Sequence, residues 1–99
     1  MKKKRVMIRP EAESDIEDAY NWYESQRKGL GEDFLLCIEE ALSRASRNPA
    51  IYSVVYKEVR RVLIRRFPFG VFFIDGETKI SVLAVLHARR NPKTWKSRT

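Results

Sequence analysis

The chain has 99 residues, 43% of them hydrophobic and 33% charged, an ordinary balance for one folded domain spanning residues 1–99. A single cysteine, Cys37, excludes an internal disulfide, and no apolar run approaches the roughly 18 residues that cross a membrane. The formal net charge is +7, and only Val6, Met7 and Ile8 follow the basic start, too few for a signal peptide, so the expected location is the cytoplasm.

Residues 4–9 read as a short strand. Pro10 then suits the first position of a helix, where a missing N–H leaves nothing unmet. Ala12, Ile16, Ala19, Tyr20 and Tyr23 follow at helical spacing, so the first helix runs to about Gln26. Gly29 and Gly31 mark a tight connection. A second helix carries Phe34, Leu35, Ile38, Ala41, Leu42 and Ala45 on its inner face and stops at Asn48-Pro49. Two such helices predict a hairpin.

Residues 50–58 look irregular, and beyond them the period becomes strand-like. Val62 and Ile64 alternate with Arg61 and Arg65, which predicts a half-buried strand. Pro68 interrupts, and Val71 to Ile74 form a second strand. Asp75-Gly76 is a hairpin turn signal, since both residues tolerate positive φ. The nearly continuous apolar run from Ile80 to Leu86 reads as a central, buried strand. The tail, residues 87–99, is polar and basic, with Trp95 alone in it. The expected architecture is α+β: an N-terminal strand, a two-helix hairpin, then a three-stranded antiparallel sheet (β-α-α-β-β-β). Its open face is expected to hold Arg61, Arg65 and the tail arginines.

Charge is segregated along this order. Residues 1–9 hold five Lys/Arg and no acid, residues 10–56 balance to −6, and residues 57–99 to +8. A strongly basic face attracts nucleic acid or an acidic protein segment. Signals for other chemistry are thin. There is no phosphate-cradling glycine loop, no nucleophile elbow and no cluster with metal-ligand spacing, so no cofactor and no metal are expected. Cys37 falls near the buried side of the second helix and reads as a packed thiol. The carboxylates of the first helix read as a solvated face. Metal-free RNA cleavage needs a base, an acid and cations around the phosphate. Arg61, Arg65 and Arg89 supply the cations, and His87 is the one residue with a suitable intrinsic pKa, although it directly follows a buried strand and reads equally as structural. The residues expected to touch a target, nucleic acid or an antitoxin are Arg61, Arg65, Arg89, Arg90, Lys93 and Trp95. Trp95 reads either as an exposed anchor or as a ring folded back on the sheet.

The stretch from Arg60 to Trp95, with its Phe67-Pro68-Phe69 turn and its His87-Ala88-Arg89-Arg90-Asn91-Pro92 ending, resembles the C-terminal half of RelE/ParE-superfamily toxins. Pro10, Ala12, Asp15, Ile16, Trp22-Tyr23, Gly29-Leu30-Gly31, Phe34 and Asn48-Pro49 resemble that family's helix hairpin. The resemblance implies the toxin of a type II toxin–antitoxin module, a group that includes plasmid-stabilisation proteins. It implies silencing by a cognate antitoxin whose acidic, partly disordered segment covers the basic surface. It also implies one of two targets. RelE-type members cut mRNA in the ribosomal decoding site, whereas ParE-type members inhibit DNA gyrase. Arg61 and Arg89 match basic positions of the RelE pattern. Leu63 stands where that pattern has a second basic residue, Gly70 where it has an arginine after the turn aromatic, and Trp95 where it has a tail tyrosine. An indole donates a hydrogen bond but exchanges no proton at useful pH. The resemblance therefore favours the ParE-like branch and gyrase inhibition, with a ribosome-dependent mRNA endonuclease as the alternative.

Overall fold

The computed structural model describes residues 3–89 and 92–99. Strand β1 (Arg5–Ile8) leads into helix α1 (Pro10–Gln26), which begins at its proline as the backbone chemistry dictates. Helix α2 (Leu30–Arg47) follows after a sharp reversal at Gly29, whose φ of +89° is a left-handed value that suits glycine. The Glu24 side chain locks this corner. Its carboxylate accepts from the Gly29 N–H at 3.0 and 3.2 Å and from the Gly31 N–H at 2.9 Å, so a residue of α1 satisfies the open amides at the start of α2. A Cβ at Gly31 would lie 2.8 Å from the Tyr20 ring, and the helices touch closely there.

A 3₁₀ turn (Pro49–Ile51) ends the hairpin, and strands β2 (Val54–Tyr56), β3 (Val59–Leu63), β4 (Phe69–Asp75) and β5 (Lys79–His87) follow, with a short helix α3 (Lys93–Lys96) in the tail. The sheet has five strands in the order β1-β5-β4-β3-β2. β1 runs parallel to β5, and the other pairs are antiparallel. This corrects the expected three-stranded sheet on both sides. The N-terminal strand is an edge of the same sheet, because crossing back over the hairpin brings β5 beside it. The stretch read as irregular contains β2, three residues with a register shift against β3, too short to show a period.

Each strand of the sheet's centre sends alternate residues to two different covers. Val62, Val71, Phe73, Ile80, Val82 and Val85 face the helix hairpin and meet Phe34, Ile38, Ala41 and Ala45 of α2. Val59, Phe72, Leu83, Ala84 and Leu86 face the other way and meet Trp95. Phe72 pairs with Ala84 and Phe73 with Val82, so Leu83 is an extra residue that shifts the alternation within β5. Both covers are needed for the continuous apolar run of β5, whose residues from Val82 to Leu86 are all buried. On the hairpin side the Phe67-Pro68-Phe69 turn is held by aromatic contacts. Phe67 lies 4.8 Å from Tyr23 and 5.4 Å from Phe34 between ring centroids, at edge-on angles.

Replacing Glu24 by alanine leaves the Gly29 and Gly31 amides without their carboxylate. The expected loss is about 1 kcal/mol of unfolding free energy, read from urea melts. Glu24→Gln keeps an acceptor oxygen and is expected to lose less.

Candidate functional site

The second face of the sheet, opposite the hairpin, is where basic side chains meet apolar surface. Arg61 and Leu63 of β3 point to this side, and Gly70 lies opposite Leu63 on β4. A Cβ at Gly70 would sit 3.2 Å from Cγ and Cδ of Arg61. The bare glycine thus gives the arginine stem a flat seat, and any larger residue there must push the stem aside. Among the described residues the Arg61 guanidinium makes no hydrogen bond or ion pair, and Leu63 is 51% exposed. Several other arginines are committed to the fold. Arg60 donates to the carbonyls of Ala50 and Tyr52, and Arg44 to the Leu63 carbonyl and the Glu40 carboxylate. That last bond lowers the Glu40 pKa and raises that of Arg44.

The tail lies across this same face. Trp95 is 6% exposed and stacks on Phe72, with centroids 4.6 Å apart, and meets Tyr56 edge-on. Lys96 places its ammonium 4.6 Å from the Tyr56 ring centroid. Beyond Trp95 the chain reaches the far edge of β5. Arg98 forms a forked pair with Asp15 of α1, at 2.6 and 3.3 Å, and also donates to the Leu83 carbonyl. Arg9 donates to the Arg98 carbonyl at 3.1 Å. The hydrogen bond that Arg98 donates to Asp15, in a partly buried site, raises the Arg98 pKa further and keeps it charged.

The residues singled out by sequence are therefore dispersed. Arg61 is on the second face. Arg65 is not; it leaves the end of β3 toward the hairpin and lies 3.5 Å from the Glu40 carboxylate. The reason is that β3 ends at Leu63, so Arg65 lies in the turn that follows, beyond the strand's alternation. His87 also faces the hairpin side, edge-on to Phe69 at 5.8 Å, and its Nδ1 accepts from the Arg89 N–H. Arg89 is exposed at the end of β5, and Lys93 is exposed in the tail. Trp95 is not an exposed anchor, because the apolar second face has no other cover. Arg90 lies outside the described residues.

Sequence reasoning missed a second feature, a cleft of about 500 Å³ between α1 and the open end of β5, lined by Asp15, Asp18, Ala19, Trp22, Tyr23, Pro68, Phe69 and His87, among others. Trp22 is 59% exposed on its rim. One signal was present: α1 holds six carboxylates and no Lys or Arg, an imbalance beyond what a solvated helix face needs.

Compared with known proteins, residues 6–92 match the family model described as the ParE toxin of the type II toxin–antitoxin system parDE. The chain belongs to the ParE toxin family. Among ParE-family relatives, Toxin ParE2 from two strains of Mycobacterium tuberculosis is 22% identical over 90 residues, covering 90% of this chain and 86% of that protein. A chain of the solved chromosomal ParDE toxin–antitoxin system from P. aeruginosa superposes with a TM-score of 0.71 at 18% identity, over 86% of this chain and 96% of that one. The family match thus spans residues 6–92, and the superposition 86% of the chain.

Arg98→Ala removes the tail's ion pair to Asp15. In a Trp22→Phe background, where Trp95 is the sole tryptophan, the expected result is a red-shifted emission as Trp95 leaves Phe72. The global stability loss is expected at about 1–2 kcal/mol.

Proposed function

We propose that this ParE-family toxin inhibits growth from the cytoplasm by binding DNA gyrase and not by cutting mRNA, and that an acidic segment of its cognate antitoxin silences it by covering the basic second face. The observation that carries the first part is the division of the nuclease candidates between two sides of the sheet. Arg61 stands on one side; Arg65 and His87 stand on the other. Arg61 therefore cannot stabilise a phosphodiester attacked through His87, and Arg65, although on the side of His87, is turned to the Glu40 carboxylate. The position where a RelE-type enzyme has its tail tyrosine is a buried indole stacked on Phe72. Converting Gly70 to arginine does not restore a cation site simply, because the new side chain competes with Arg61 for the same space.

The antitoxin part rests on charge. Arg61, Lys57 and Lys96 flank the apolar strip of Leu63 and Tyr56, so an acidic amphipathic segment finds both partners there. Long-range attraction of this kind speeds encounter and is screened by salt.

With purified toxin and no antitoxin, gyrase supercoiling is expected to fall while cell-free translation continues with intact mRNA. Ribosome-dependent mRNA fragments would replace this reading by the nuclease one.

Association with the antitoxin is expected to slow as salt rises from 50 to 500 mM, concentrations on the order of those that shorten screening from tens of ångströms to a few. Arg61→Ala is expected to flatten that salt dependence in stopped-flow mixing. A rate indifferent to salt removes the electrostatic cover.

A further inference from the structure

β1 ends at Ile8, opposite Val82 of β5. From there to His87, β5 has no strand neighbour on that side. The Val85 N–H points outward to this side and donates to Asp15 Oδ2 at 3.0 Å, so the strand's other outward main-chain groups face the same way. The cleft described above runs along this open end. Its walls are aromatic, with Tyr23, Phe69 and the exposed Trp22, which stands edge-on to Tyr23 at 5.1 Å. Its charge is negative. Asp15 is already committed to Arg98 and the Val85 amide, whereas Asp18, also in the lining, makes no hydrogen bond or ion pair among the described residues.

We propose that this cleft is a docking site for an extended segment of a second protein in which a lysine or arginine flanks a bulky apolar side chain. Three features select that occupant. An open strand end binds extended backbone through main-chain hydrogen bonds. A rim tryptophan beside half-buried aromatic walls offers a surface on which a large apolar anchor loses much of its water contact. The carboxylates of α1 that have no internal partner, Asp18 in the lining foremost, attract a positive side chain and repel a negative one, and the helix itself carries no cation. The same carboxylates exclude the acidic segment assigned above to the basic second face. The two surfaces therefore take partners of opposite charge, and this inference stands independently of gyrase or antitoxin.

The test uses the full chain, isotope-labelled, titrated with two blocked hexapeptides: one alternating leucine and arginine, the other leucine and glutamate. The arginine peptide is expected to shift the amides of Val85 to His87 and the Trp22 indole. It is expected to bind at least about ten-fold tighter than the glutamate peptide, equivalent to about 1.4 kcal/mol. Asp18→Asn is expected to weaken it several-fold, and Trp22→Ala by more, with the remaining spectrum unchanged. Equal binding of the glutamate peptide overturns the proposal, as do shifts confined to other surfaces or no binding at millimolar peptide. Sedimentation of the free chain supplies the last arm. A dimer abolished by Trp22→Ala would make a second copy of this chain the occupant and overturn it as well.

Discussion

The interior strand β5 is apolar on both sides, and everything else in the molecule follows from covering it. One layer is the helix hairpin, whose interior face of Phe34, Ile38, Ala41 and Ala45 is ordinary for an amphipathic helix on a sheet. The other layer is much thinner. It consists of the tail, which lays the Trp95 ring on Phe72 and the short helix α3 over the strand ends. A chain of this length has no spare apolar residues for a second helical layer, so a few tail residues take the place of one. The bulge at Leu83 is the means of sharing. It turns Leu83 and Ala84 together toward the tail, while Val82 and Val85 stay with the hairpin.

Charge separation is built on the same layering. The hairpin layer opens with a helix that has six carboxylates and no Lys or Arg, and the opposite layer carries Arg61 beside exposed Leu63 and Lys57 and Lys96 beside Tyr56. Part of the positive charge is internal currency of the fold: Arg44 and Arg60 satisfy carbonyl groups where the hairpin meets β3 and the turn before β2. Net charge alone overstates the cationic surface for this reason. A small number of arginines without internal partners, Arg61 foremost, define where a negatively charged partner gains most.

Helix positions were legible in the sequence because their apolar residues recur every three or four positions and their ends carry Pro10, Gly29 and Asn48-Pro49. β5 was legible as buried from its unbroken apolar run, although it lies second from the sheet's edge and not at its centre. Sheet membership of β1 was not, since a parallel pairing across more than seventy residues leaves no local trace, and β2 is shorter than any period. Arg61 was placed correctly by alternation. Arg65 was not, because β3 stops at Leu63 and the alternation does not reach it. Trp95 offered two readings, and the choice between them depended on the second face of β4 and β5, which no local pattern describes. The cleft beside α1 depended on where β1 stops, a matter of register and not of composition.

Asp15 holds two unrelated ends of the molecule at once. Its carboxylate terminates the exposed edge of β5 through Val85 and fastens the last residues of the chain through Arg98. A change at this position alters the edge and the tail together, and so does a change in the length of the C-terminus that removes Arg98. Inheritance of the two residues is thereby tied: a lineage that loses one leaves the other as a half-buried charge without its counterpart. The tail, which also supplies the Trp95 cover, is thus fastened to a helix that lies more than eighty residues away in sequence.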